Sequence, residues 1–208
     1  MTPRHLVVRG GRRADRQRLL ADVLDGDAVV VAGCHARLRG PYTGVDTVLR
    51  AVLPEADPAL VEAHRVELLY GIPELADLIG APPPTLASAA PFAERTRFYG
   101  ARMIRCMSQG VVTFLVEHAR SRAGGPRLVF EDVHEAEATT LEFLALLVRR
   151  CPPEVARVVV CAGDGHLGDE LEDVLAAHAD EVTCTPGSAV VRSTEDPVRS
   201  YVDSDGTS

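Results

Sequence analysis

Short apolar runs separated by longer segments of helical spacing predict an α/β chain, doubly wound, with a mainly parallel five-stranded sheet and helices on both faces. Three observations carry this. Runs such as DAVVVA and VARVVVC are apolar at nearly every position, as strands buried on both faces are. Between them apolar residues return every three or four positions, the period of a helix with one face covered. A chain of 208 residues, 46% hydrophobic and 25% charged, has enough apolar surface for one core and one domain.

The elements follow in order. Residues 5–8 (HLVV) read as a first strand. Residues 15–25 form a helix, with Leu19, Leu20, Val23 and Leu24 on one side. A second strand spans 27–32 and ends at Gly33; an amphipathic helix over 43–53 closes at Pro54. Helical runs at 58–67 and 73–79 precede the proline-rich linker 80–91, GAPPPTLASAAP, in which a helix cannot persist. A long helix is expected over 92–122, with Met103, Met107, Val111, Phe114 and Leu115 as its buried stripe. Residues 127–130 form a strand that ends in two acids, Glu131 and Asp132. A helix at 139–150, a strand at 155–161, a helix at 167–179 and a strand at 181–184 complete the series. Residues 1–190 are thus expected to form the domain, with a helical insertion over about 43–122. The polar stretch 191–208 is expected to be a disordered tail.

Composition narrows the chemistry. All 22 positive side chains are arginine; lysine, asparagine and tryptophan are absent. That excludes Schiff-base catalysis, an intact Walker A lysine and an N-glycosylation acceptor. Five cysteines with no C-x-x-C spacing read as buried free thiols rather than a disulfide framework or zinc site. No long uncharged apolar stretch and no leader-like N-terminus is present, so a cytoplasmic protein without membrane contact is expected. A net charge of −8 argues against direct nucleic-acid binding. The charge is uneven, however: the first twenty residues hold six arginines and one acid. Such a basic patch suits an anion site, a docking surface or simply a solvated helix face. The histidines form no H-x-x-x-H pair, and no G-x-S-x-G elbow exists. Cys34 beside His35 is the place where a thiol nucleophile could be sought.

Two positions are the functional ends of such a sheet: the turn after the first strand, where a helix N-terminus can cradle phosphate, and the acidic end of LVFED. Around them the chain resembles the nucleotide-binding domain of STAND proteins, relatives of AAA+ ATPases, and more narrowly the ATPase module of large bacterial LuxR-type regulators. The resemblance rests on LVFEDVHEAEATTLEFLALLVRR (128–150), on Gly40-Pro41-Tyr42 leading into TVLRAVLP, and on Ile72-Pro73-Glu74-Leu75-Ala76.

The resemblance places a phosphate loop on residues 10–17 and implies nucleotide contacts at Gly10, Gly11, Arg16 and Gln17. It implies magnesium coordination by Glu131 and a water-orienting role for Asp132, with His134 as the family histidine. The loop is degenerate: Asp15 replaces the second glycine of G-x-x-x-x-G-K-[ST], Arg16 the lysine, and Gln17 the hydroxyl that binds magnesium. Each change weakens ATP–magnesium binding, through a like charge, a planar fork in place of a compact ammonium, and a poor metal ligand. The loop after the fourth strand, Ala162-Gly163-Asp164-Gly165, also lacks the family's threonine and arginine. The reading is a regulatory or scaffolding pseudo-ATPase with a vestigial Asp132, acting on another protein chain or as a homo-oligomer. The residues by themselves imply no cofactor; ATP and magnesium are the ones the resemblance implies. The alternative is an ATP-binding switch or weak ATPase with an atypical loop. These 208 residues do not include the family's downstream helical, winged-helix and repeat segments, so the partner surface is expected on another chain, or the chain is a fragment of a larger regulator; the arginine-rich first helix and the helix at 92–122 are the expected docking elements.

Overall fold

The computed structural model describes residues 3–23, 29–35, 42–81, 101–122, 125–185, 188–193 and 196–199. Five strands lie parallel: β1 (His5–Arg9), β2 (Val29–Gly33), β3 (Arg127–Glu131), β4 (Arg157–Ala162) and β5 (Ala179–Thr185). The sheet does not stop there. Beyond β5 come β6 (Ser188–Ser193) and β7 (Asp196–Arg199), both antiparallel, giving the order β2-β3-β4-β1-β5-β6-β7. The stretch expected to be a free tail from 191 is therefore paired as far as Arg199, and 200–208 lie outside the described residues. Strand β5 would otherwise be a bare edge, and the Ala189-Val190-Val191 segment can complete its ladder.

Helix α1 (Arg13–Val23) follows β1 and packs on one face of the sheet, where Leu20 meets Leu6, Val8, Val129, Val159, Cys161 and Val182. The other described helices cover the opposite face. Between β2 and β3 come α2 (Val45–Val52), α3 (Pro58–Ala63), α4 (Arg65–Gly71), α5 (Ala76–Ile79) and α6 (Ala101–Arg120). Helix α7 (Ala138–Arg150) joins β3 to β4, and α8 (Asp169–His178) joins β4 to β5. Phe114, Phe130, Phe143, Leu147 and Leu171 form the centre of this larger core.

Local chemistry explains the boundaries. Asp57 caps α3 by accepting from the Ala59 N–H at 2.8 Å, with Pro58 in the first turn where its missing N–H costs nothing. The single helix expected over 58–67 is broken at His64, which leaves helical geometry at φ −110° and ψ 9°. The long helix is described only from Ala101; residues 92–100 and most of the linker (82–91) lie outside the described residues. Val111, Phe114 and Leu115 are buried as the spacing requires, while Met107 is half-buried.

One buried histidine ties the elements together. His5 on β1 accepts from the Val158 N–H through Nδ1 (3.1 Å) and donates from Nε2 to the Cys151 carbonyl at the end of α7 (2.9 Å). Both ring nitrogens are used, one as acceptor and one as donor, so the ring is held as a single neutral tautomer. Among the described residues no helix is long and apolar enough to cross a membrane.

Candidate functional site

Parallel strands bring the loops after β1, β3 and β4 to one edge, the edge at which α/β sheets hold ligands. Gly10 and Gly11 leave β1 with φ of 76° and 61°, the left-handed region that favours glycine. The close approach of β5 adds a second reason for glycine. A Cβ at Gly10 would meet the Cys184 carbonyl oxygen at 3.0 Å, and one at Gly11 would meet Cys184 Sγ at 2.9 Å.

The interior of this loop is filled by its own arginine. Arg16 is 3% exposed, and its Nη1 donates to the carbonyls of Gly10 (3.2 Å) and Gly11 (2.9 Å). Its Nη2 donates to Asp132 Oδ1 at 2.8 Å. Arg13, one helical turn earlier, reaches the same acids, with Nη2 2.5 Å from Glu131 Oε2 and Nη1 3.5 Å from Asp132 Oδ2. Gln17 Nε2 donates to Glu131 Oε2 at 3.3 Å. Asp15 turns back to accept from the Arg12 N–H (3.2 Å), one of the amides a phosphate would seek at a helix N-terminus. Its other oxygen pairs with Arg18 at 2.5 Å.

The residues that the sequence singles out as a site, Gly10, Gly11, Arg16, Gln17, Glu131 and Asp132, are therefore brought together, but as partners of one another. ATP and magnesium do not fit this arrangement. A guanidinium sits inside the loop, a carboxylate covers one of its amides, and Gln17 presents an N–H donor to Glu131 where a metal needs an oxygen. The closure is not perfect: Glu131 Oε1 and Arg16 Nε are buried with no hydrogen-bond partner. Among the described residues no group of three His, Cys, Asp or Glu side chains is placed to hold a metal.

Residue types alone leave the partners of two contributors unassigned. The first is Arg13, which lies within the loop segment 10–17 and whose spacing of three from Arg16 puts both on one side of α1. The second is the pairing of His134 with the loop after β4. His134 Nδ1 accepts from the Gly163 N–H at 3.1 Å, and a Cβ at Gly163 would lie 3.0 Å from its Nε2. A Cβ at Gly165 would lie 3.0 Å from His134 Cβ. The glycines that stand where the resembling family has a sensor make room here for an imidazole.

Cys34 is fully buried, and burial first, with Asp132 next, pushes its thiol up to about 12, which disfavours a thiolate nucleophile at neutral pH. Cys106 is exposed, against the expectation of uniformly buried thiols, because it falls on the outer side of α6. A separate cavity of about 430 Å³ lies between α2 and α4, lined by Tyr42, Thr43, Asp46 and Arg50 among others. Arg50 is committed to Asp77 and the Glu74 carbonyl, so this cavity offers no phosphate grip.

The strand, loop and helix at β1, with the acidic end of β3 beside them, make a P-loop-like α/β fold. No family model and no curated protein matches the chain. Among solved structures it is similar to chains in structures of Drosophila ORC, at 12% identity in each case. Against ORC bound to AT-rich DNA and Cdc6, 87% of this chain and 48% of that chain are covered, with a TM-score of 0.44. For ORC bound to GC-rich DNA and Cdc6 the figures are 88%, 50% and 0.45. For ORC bound to DNA they are 88%, 81% and 0.46. The chain spans about half the length of the first two. A likeness this distant says nothing about activity.

Proposed function

We propose that this chain is a pseudo-ATPase module of STAND/AAA+ type, regulatory or scaffolding, which works through contact with another protein chain or a second copy and hydrolyses little or no ATP. One observation carries the reading: the Arg16 guanidinium occupies the interior of the phosphate loop and pairs with Asp132. In a working site a cation in this position faces the β- and γ-phosphates. Here its donors are spent on the loop's own carbonyls and on the acid that would orient water. The internal cations Arg13 and Arg16 supply the charge balance that nucleotide and metal would otherwise bring.

A thermal-shift titration tests the reading. A ligand at a hundred times its Kd adds roughly 2.7 kcal/mol, and each kcal/mol raises the midpoint of a domain this size by ~2–4 °C. Millimolar Mg-ATP, Mg-ADP and Mg-GTP are expected to leave the midpoint unmoved. A rise of several degrees would overturn the closed loop, and steady phosphate release abolished by Asp132→Asn would overturn the pseudo-ATPase reading.

A further inference from the structure

Strand β2 is an edge of the sheet. Its sequence, Val-Val-Val-Ala-Gly, contains no charge and no proline, the residues that normally guard an edge. The direction of its backbone groups follows from one hydrogen bond. The Cys34 N–H donates to the Glu131 carbonyl at 2.8 Å, and successive residues of a strand aim their N–H and C=O groups to alternate sides. Val30 and Ala32 therefore face β3, while Val29, Val31 and Gly33 face outward. The Gly33 carbonyl is backed by Gly44 at the start of α2, where an added Cβ would lie 3.1 Å from it. The outward groups of Val29 and Val31 bond to nothing among the described residues.

The side chains of the same two residues are uncovered. Val29 and Val31 are 37% and 49% exposed. Val31 stands in register with Val129 and, through it, Val159, on the face that carries α1. Backbone groups that need a partner and apolar side chains that need cover thus coincide at two alternate residues, which is the footprint of one further strand.

We propose that this strand is β2 of a second copy of the chain, antiparallel across a two-fold axis at Val30. In that register Val29 of each copy lies opposite Val31 of the other, so the four outward residues exchange backbone hydrogen bonds and their side chains pair on one face. A two-fold axis requires a self-complementary patch, and a strand meeting its own copy satisfies this automatically. Charge selects the antiparallel sense. In the sequence Asp25 and Asp27 precede the strand, while Arg37 and Arg39 follow it. Antiparallel copies bring acidic flank to basic flank; parallel copies would set like against like. The strip is small beside the roughly 1,000 Å² that a stable interface buries, so the dimer forms reversibly with concentration. The inference rests on the reading of the chain as an interaction module, and is independent of whether nucleotide binds.

Sedimentation velocity on the full chain over a concentration series tests it. The expected result is a monomer–dimer equilibrium that Val31→Lys and Val29→Lys each abolish without lowering the melting temperature, and that Val66→Lys, at another exposed valine (38%), leaves intact. A parent chain that stays monomeric throughout overturns the proposal. So does a dimer that survives both β2 substitutions, or one that Val66→Lys removes equally. A monomeric result leaves the Arg16 closure as described, whereas a nucleotide-induced thermal shift would overturn that closure without touching this edge.

Discussion

Arg16 and Arg13 end on the same pair of acids but carry unequal weight. The Arg16 side chain is 3% exposed and that of Asp132 17%, so losing the guanidinium strands a carboxylate and two carbonyls with little water to replace it. Arg16→Met is expected to cost about 3 kcal/mol, as breaking a buried pair does. The Arg13 side chain is 54% exposed, which screens its charge, but its partner Glu131 is 1% exposed and would keep only the Gln17 N–H, so Arg13→Ala is expected to cost about 1–2 kcal/mol, less than Arg16→Met. Urea unfolding of the two variants checks the ranking; equal losses would mean that Arg16 does not organise the loop. The degeneracy at positions 15–17 was legible from residue types alone. That Arg16 would turn back onto Gly10 and Gly11 was not, because it depends on Asp132, whose backbone sits at φ 56° at the end of a strand 116 positions away in the chain.

Helices and strands add a pH dependence through His5. Burial lowers the pKa of this ring below 6.5, and burial does the same for His118 on α6. The unfolded chain therefore takes up protons more readily than the folded one. Stability is whole above about pH 6.5 and falls as the pH drops through that value toward the lowered folded values. Urea midpoints measured from about pH 7.5 down to pH 5 should decline, and His5→Gln should flatten the slope; identical slopes with and without His5 would remove it as the cause. Strands β1, β3 and β4 and helix α7 were readable within a residue or two, because their apolar runs are continuous and end at Gly, Pro or charge. Strands β6 and β7 escaped, since what orders them is the open edge of β5 rather than a signal of their own. The break at His64 escaped too, because nothing in residue composition marks it.

At the scale of the molecule, the closed loop is expected to be a local blockade on an otherwise P-loop-like frame. Restoring the motif with Asp15→Gly, Arg16→Lys and Gln17→Thr together is expected to create a melting-temperature rise with Mg-ATP that the parent lacks. If the triple variant folds and still shows none, the obstruction extends beyond the loop, to the His134–Gly163 contact. The strand order has a consequence of another kind. Strand β1 lies between β4 and β5, so Leu6 finds its partners only at Val159 and Asp180. At about 5–20 residues per second, a ribosome needs on the order of ten to thirty seconds to deliver β4 after β1 has emerged. For that interval the most central strand of the protein has no neighbour to pair with. Its His-Leu-Val-Val segment must wait unfolded, or in the care of a chaperone, until almost the whole domain has been made.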